Sequence, residues 1–140
     1  MDLIELSIDT ALNAHKGQKD KAGKPYILHP LRLMAKMQTP NEMMVAVLHD
    51  VLEDSSLTAA DLVKLGIPDE VVKAIECLTK CEGEAYGDYL ERVLSSLLAV
   101  KVKRADLEDN MNILRLDTMT DKDLNRLQKY HQAWQKLSGL

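Results

Sequence analysis

A histidine and three acidic residues are concentrated in and just after a strongly apolar stretch of the sequence. His49 and Asp50 lie within MMVAVLHDVL, and Glu53 and Asp54 follow them about one helical turn later. Burying a carboxylate without a partner costs several kcal/mol, and acids this close together repel one another unless a cation neutralises them. No lysine or arginine lies nearby in the sequence. The cluster predicts a divalent metal ion, with a buried His–Asp hydrogen bond and a solvated helix end as the alternative.

Two residues elsewhere are further candidates for the same site. Asp106 follows an apolar stripe, and Asn110 lies one helical turn after it on the same face. The alternative for Asp106 is a surface ion pair with Lys103 or with a basic residue of another helix. His29 precedes Pro30 at a predicted helix start, so its alternative role is that of a simple helix cap.

The other histidines and the cysteines carry weaker signals. His15 ends the apolar face of the first predicted helix, where a core role and a site role are both open. His131 lies in a polar context and is predicted to face solvent. Cys77 and Cys81 have no second Cys or His pair, so we expect ordinary thiols in a reducing cytoplasm rather than a zinc or redox site.

Two groups of basic residues stand out in an otherwise acidic chain. One group lies in the loop after the first predicted helix, and the other lies just before Asp106. Their members are Lys16, Lys19, Lys21 and Lys24 in the first group, and Lys101, Lys103 and Arg104 in the second. We expect at least one group to bind phosphate, although surface lysines usually serve only solubility.

The elements that position these residues are predicted to be helices throughout. The first helix spans about residues 2–16, a second opens at His29-Pro30 and ends near Gln38, and a buried central helix follows Thr39-Pro40-Asn41-Glu42. Further starts are expected at Thr58, Pro68 and Thr120, with a helix near 86–96. Another helix is expected through LLAVKVKRADLEDNMNIL, although its AVKVK portion alternates and could be a strand. We therefore predict one all-α domain over residues 1–140, a bundle of about seven or eight helices.

Composition excludes several classes of protein. The 140 residues carry a net charge of −4, which argues against general nucleic-acid binding. No apolar run reaches the roughly 20 residues of a membrane span, and the first residues include acids where a secretory signal has basic residues. We expect a cytoplasmic protein with a small-molecule partner; the sequence leaves its oligomeric state open.

Three motifs in a fixed order resemble a known family. AHKGQKDKAGKPYILHP, VAVLHDVLED and VKRADLEDNM are similar to the hydrolase domain of the RelA/SpoT group within the HD superfamily of metal-dependent phosphohydrolases. The likeness runs from about His15 to Asn110, and is closest to the small stand-alone alarmone hydrolases of that group. It implies removal of the 3′-pyrophosphate from guanosine tetra- or pentaphosphate (ppGpp or pppGpp).

The resemblance also implies roles for particular residues. His29, His49, Asp50 and Asp106 match the metal ligands, with manganese the usual ion, although two imidazoles and two carboxylates also suit Fe²⁺ or Zn²⁺. The remaining matches are Glu53 and Asp54, which position and deprotonate the attacking water, Asn110, which helps hold the sugar, and Lys21, Lys24 and Tyr26, which lie in the loop lining the nucleotide side of the pocket.

Two departures from the family pattern affect nucleotide recognition. Asp20 stands where larger relatives carry an arginine that stacks on guanine, and Leu107-Glu108-Asp109 replaces the usual Arg-Leu-His. An aspartate cannot stack on a purine as a guanidinium does. An adenine alarmone, NADPH or a nucleoside monophosphate is therefore an alternative substrate, and a non-catalytic nucleotide-binding domain is a third hypothesis.

Overall fold

Residues 2–139, which the computed structural model describes, contain nine α-helices, one 3-10 turn at Ile113–Arg115 and no strand beyond an isolated bridge between Lys19 and Pro25. The helices are α1 (Leu3–His15), α2 (Leu28–Ala35), α3 (Pro40–Leu48), α4 (Val51–Asp54), α5 (Ala59–Lys64), α6 (Asp69–Leu78), α7 (Tyr86–Leu94), α8 (Leu97–Asn110) and α9 (Asp121–Leu137). The all-α prediction is confirmed. None of these helices is both long and apolar enough to cross a membrane.

Capping boxes begin three of the helices where the sequence predicts them. Thr39, Thr58 and Thr120 each accept a hydrogen bond from the amide three residues later, and the acidic residue at that position accepts one from the cap amide. These reciprocal bonds satisfy donors that a helix start otherwise leaves free. Local sequence therefore determines where α3, α5 and α9 begin.

Helix α3 forms the centre of the molecule. The run Met44–Leu48 is buried, and α3 packs against α1, α2, α6 and α8. A helix that is apolar on every face can lie only in such a position, because no side of it can be left to water. The prediction of a buried central helix is therefore confirmed.

The central helix does not continue through His49 and Asp50 as predicted. It ends at Leu48, the chain bends at these two residues, and the single turn α4 begins at Val51. Asp50 has φ −105° and ψ 0°, outside the helical range, although its carbonyl still accepts a hydrogen bond from the amide of Asp54 at 2.9 Å. The apolar sequence hides this bend, since it contains neither proline nor glycine.

Two other helices are shorter than predicted. α2 ends at Ala35 rather than near Gln38, because the next two amides bond to carbonyls three residues back, which tightens the last turn. α8 ends at Asn110, and the apolar residues beyond it enter the 3-10 turn. The strand alternative for the start of α8 is excluded, since Ser96 caps a helix there by accepting a hydrogen bond from the amide of Ala99.

Candidate metal centre and adjoining cavity

Three of the four predicted ligands meet where α2 passes the bend after α3. His29 lies in the first turn of α2, and His49 and Asp50 form the bend itself. One ligand atom from each of the three residues lies within 4.8 Å of the other two. His29 and His49 are only 5% and 3% exposed, so both imidazoles are removed from bulk water. His29 lies inside α2 and not at its cap, which argues against the simple capping role.

Asp106 reaches the same cluster from α8. Its Oδ1 lies 2.8 Å from His29 Nε2 and 3.4 Å from His49 Nε2. Its Oδ2 accepts a hydrogen bond from Lys103 Nζ at 2.8 Å, and Asn110 Nδ2 donates to Oδ1 at 3.3 Å. The ion pair with Lys103 forms in the interior and not at the surface, since the two side chains are 14% and 8% exposed. The pair thus orients Asp106 within the cluster.

Each imidazole is held from behind through Nδ1. His49 Nδ1 lies 2.7 Å from the carbonyl oxygen of Ala46, and His29 Nδ1 lies 2.6 Å from Oδ2 of Asp109. Arg32 holds Asp109 in turn, donating from Nε and Nη2 to its two carboxylate oxygens at 2.9 and 3.0 Å. No sequence pattern predicts this role of Asp109 or the contribution of Arg32, because contacts between residues so far apart in the chain leave no local spacing signal.

The donor set fits a divalent cation. Since the carbonyl and the carboxylate behind the rings accept hydrogen bonds, Nδ1 is the donor, and in the neutral form of each ring Nε2 carries a lone pair. Nε2 of His49 is buried with no hydrogen-bond partner within residues 2–139, although Oδ2 of Asp50 lies 3.0 Å away. A nitrogen lone pair and a carboxylate oxygen that face each other repel, and a metal ion that binds both removes this repulsion. Carboxylates behind ligand histidines are usual at such metal sites.

The electrostatics of the cluster favour positive charge between its carboxylates. Burial lowers the pKa of His29, but hydrogen bonds to two carboxylates outweigh this effect and raise it. Burial also opposes the charged form of His49, and Asp50 and Asp106 nevertheless raise its pKa well above the ordinary value. Burial raises the pKa of Asp106, but Lys103 and the two histidines outweigh this effect and hold the pKa well below its usual range.

Tyr26 and two carboxyls of α4 border the cluster. The hydroxyl of Tyr26 donates a hydrogen bond to Oδ2 of Asp50, and burial followed by the charge of Asp50 raises the tyrosine pKa far beyond its usual range. Glu53 and Asp54 reach the surface, and partial burial together with the Asp50 carboxylate raises the pKa of both. A carboxyl with a raised pKa is a better proton acceptor than an ordinary one.

A cavity of about 260 Å³ adjoins the cluster beside His29. The loop before α2, the 3-10 turn and α9 supply most of its walls. Three of the four predicted substrate contacts, Lys21, Tyr26 and Asn110, line it, whereas Lys24 does not. Arg115, which no sequence motif indicates as a site residue, also lines the cavity.

The two basic groups differ in their surroundings. Lys19 and Lys21 of the first group line the cavity and are exposed. In the second group, Lys101 pairs with Glu42 and Lys103 pairs with Asp106. Lys19 and Lys21 are therefore in a position to meet an anionic ligand in the cavity.

The remaining singled-out residues lie apart from the ligand cluster or at its edge. His15 is buried, and its ring centroid lies 4.8 Å from that of Tyr26, so it supports the tyrosine that binds Asp50. His131 is exposed, as predicted, and stacks on Trp134. Cys77 and Cys81 are free thiols.

Curated relatives match most of the chain. SpoT of Escherichia coli K12, a bifunctional (p)ppGpp synthase/hydrolase, is 30% identical over 118 residues, which cover 74% of this chain and 17% of that protein. A guanosine-3′,5′-bis(diphosphate) 3′-pyrophosphohydrolase of Vibrio cholerae is 28% identical over 129 residues, covering 81% and 18%. The chain thus spans less than a fifth of the length of these relatives. No family model matches it.

A solved structure has the same fold. It belongs to a metazoan ortholog of SpoT described as hydrolysing ppGpp, and superposes with a TM-score of 0.78 over 98% of this chain and 85% of that one, at 22% identity. In sequence and in fold, the chain is thus similar to the HD-type hydrolase domain of the RelA/SpoT group. The resemblance carried by the three sequence motifs is thereby confirmed.

Proposed function

We propose that this HD-type domain is a metal-dependent phosphohydrolase that removes the 3′-pyrophosphate of ppGpp or pppGpp. The observation that carries the proposal is the convergence of two imidazole Nε2 atoms with the carboxylates of Asp50 and Asp106 next to a cavity. The names of the curated relatives and of the metazoan ortholog support this substrate over others. Such an activity would make the domain a negative regulator of the stringent response.

The proposed ligands of the cation are His29, His49, Asp50 and Asp106. Mn²⁺ is the ion we propose, because mixed imidazole and carboxylate donors suit it and the RelA/SpoT group commonly uses it. When bound, such an ion lowers the pKa of a water that it contacts and withdraws charge from a phosphoryl oxygen.

The chain's own residues then have separate tasks. Glu53 or Asp54 accepts a proton from the attacking water, whose oxygen forms a bond to the phosphorus nearest the ribose. The bond from that phosphorus to the 3′ oxygen breaks, and the 3′ oxygen takes up a proton to become a hydroxyl. The products are pyrophosphate and GDP or GTP, so atoms and charges balance without any further reactant.

Residues around the cluster hold the substrate and the ligands in place. Tyr26 and Asn110 contact the ligand carboxylates and also line the cavity, so we propose that they position the nucleotide sugar next to the metal. Lys21 lies at the same cavity and is proposed to offset the charge of the phosphates, while Lys24, outside its walls, acts at longer range.

Composition supports a proposal for the cellular compartment and for the class of partner. Free thiols at Cys77 and Cys81 favour a reducing compartment such as the cytoplasm. A net charge of −4 favours a small nucleotide over nucleic acid as the partner.

The proposal is tested with metal-stripped protein and ppGpp, with and without added Mn²⁺. We expect GDP and pyrophosphate in equal amounts only when Mn²⁺ is present, and no product from Asp106→Asn under the same conditions. Asp88→Asn, an exposed change of the same kind on α7, serves as the control and should keep full turnover. Manganese-independent turnover, or full turnover by Asp106→Asn, would contradict the assignment.

A further inference from the structure

Asp20 presents one fixed carboxylate oxygen to the cavity. Its Oδ1 accepts hydrogen bonds from the amides of Ala22 and Lys24, both at 2.9 Å, and its own amide donates to the carbonyl of Lys24 at 2.8 Å. Gly23 completes this turn with φ +78°, a conformation that favours glycine. The turn therefore immobilises the Asp20 side chain through Oδ1, while Oδ2 faces Arg115.

Arg115 places hydrogen-bond donors beside that oxygen. Its Nη1 lies 3.8 Å from Oδ2 of Asp20, and its Nη2 donates to the carbonyl of Asp109 at 2.7 Å, which anchors the guanidinium. Its Nε is buried without a hydrogen-bond partner in the described part of the chain, residues 2–139. An unpaired buried donor is costly, and a ligand that accepts from it recovers that cost.

The rest of the cavity suits a flat heterocycle. Ile113, Leu116, Leu127 and the ring of Tyr130 supply apolar walls, while His29 marks the end next to the metal ligands. A nucleotide whose reactive phosphate lies at the metal cluster would place its base in this cavity, because the cavity adjoins His29. Asp20 and Arg115 line the same cavity.

We propose that Asp20 and Arg115 read the edge of the base and select guanine over adenine. Guanine offers N1–H and N2–H donors for the carboxylate and the O6 acceptor for the guanidinium, whereas the unprotonated N1 of adenine faces a carboxylate unfavourably. Hypoxanthine keeps N1–H and O6 but lacks the N2 amine. This inference rests on the proposed function in one respect, namely that the cavity receives a nucleotide.

Equilibrium binding of nucleoside diphosphates to the full chain tests the inference without turnover. For the wild-type chain we expect GDP to bind more tightly than IDP, and IDP more tightly than ADP, with GDP at least about 10-fold tighter than ADP, or about 1.4 kcal/mol. A site that hydrogen-bonds a group rejects analogues that lack it.

The matched variant is Asp20→Asn. Its side-chain oxygen can keep the two loop hydrogen bonds, while an amide donor replaces Oδ2 at the cavity. We expect the GDP-to-ADP preference to fall about 10-fold, with an unchanged circular dichroism spectrum. Asp117→Asn makes the same change at an exposed aspartate outside the cavity walls, and should leave the preference as it is.

Equal binding of GDP and ADP by the wild-type chain, no binding of either, or an unchanged preference in Asp20→Asn would each overturn the inference. Failure of the proposed function has a different signature. Guanine-selective binding that depends on Asp20, without any hydrolysis of ppGpp, would leave this inference standing and contradict the hydrolase.

Discussion

Single hydrogen bonds decide which nitrogen of each candidate ligand histidine is free. Both His29 and His49 use Nδ1 to bond an oxygen behind the ring, one to the Asp109 carboxylate and the other to the Ala46 carbonyl. Nε2 is therefore left to face the carboxylates of the cluster. At the residue scale, the capacity to bind a metal thus depends on groups that do not themselves touch it.

Asp109→Asn tests this dependence. The amide can still accept from His29, but it lacks the charge that Arg32 binds and that steadies the imidazole. We expect affinity for Mn²⁺ to fall about 10- to 100-fold, the range seen when such supporting carboxylates are changed. Titration calorimetry measures it, with Glu108→Gln, at the exposed neighbouring carboxylate, as the control. Equal Mn²⁺ affinity in the two variants would contradict this role of Asp109.

Only part of the candidate site can be predicted at the residue scale. Residue type and local spacing indicate His49, Asp50 and Asp106 because each interrupts or follows an apolar pattern. Arg32, Arg115 and the supporting role of Asp109 depend on contacts between α2, α8 and the 3-10 turn. Such contacts follow from tertiary packing, which no periodicity in one segment encodes.

Helix starts are predictable because their signals are local. The capping box of Thr39 is read directly from Thr-Pro-Asn-Glu and is present as predicted. The bend at His49 and Asp50 is not predictable in this way, because apolar residues flank it on both sides and none of them is a helix breaker. Packing of α3 and α4 against other helices, and not local preference, determines it.

Thr39→Ala tests the contribution of the α3 cap. The substitution removes the acceptor for the amide of Glu42, which we expect to lower the free energy of unfolding by about 1 kcal/mol. Chemical denaturation measures the change. Thr118→Ala, at an exposed threonine outside any helix, is the matched control. Equal stability of the two variants would show that the cap contributes nothing measurable.

The stabilisation that the connection between α6 and α7 gives the fold should depend on pH. Arg92 donates to both carboxylate oxygens of Glu84 and to the carbonyls of Glu76 and Thr79. The hydrogen bonds from Arg92 are the main cause that lowers the pKa of Glu84 from 4.5 to about 2. The ionised form is thus favoured by folding, and its stabilisation is present above pH 4.5 and lost as pH falls towards 2.

Glu84→Gln should therefore be less stable than the wild-type chain at pH 6, with the difference shrinking as the pH is lowered through this window. Denaturant unfolding at pH 6, 4 and 3 measures it. A difference that stays constant across these pH values would contradict the contribution of the ion pair.

At the scale of the whole molecule, the candidate ligands join separate parts of the fold. His29 comes from α2, His49 and Asp50 from the bend after α3, and Asp106 from α8. α3 packs against both α2 and α8 around the shared core. An ion bound by all four residues therefore holds elements together that an unfolded chain cannot bring into one place.

Mn²⁺ should consequently raise the thermal stability of the whole chain. At a free concentration about 100 times its Kd, a ligand that binds only the folded state adds about 2.7 kcal/mol, which corresponds to several degrees in Tm. Thermal unfolding with Mn²⁺ and with a chelator measures the shift. Asp106→Asn should show no such shift, and an equal shift in that variant would indicate binding at another place.

The most direct test of the metal centre is a crystal structure grown with Mn²⁺ and analysed by anomalous scattering at the manganese edge. The account predicts one strong peak in contact with Nε2 of His29 and His49 and with the carboxylates of Asp50 and Asp106. A peak bound by other residues, or no peak within this cluster at saturating Mn²⁺, would contradict it.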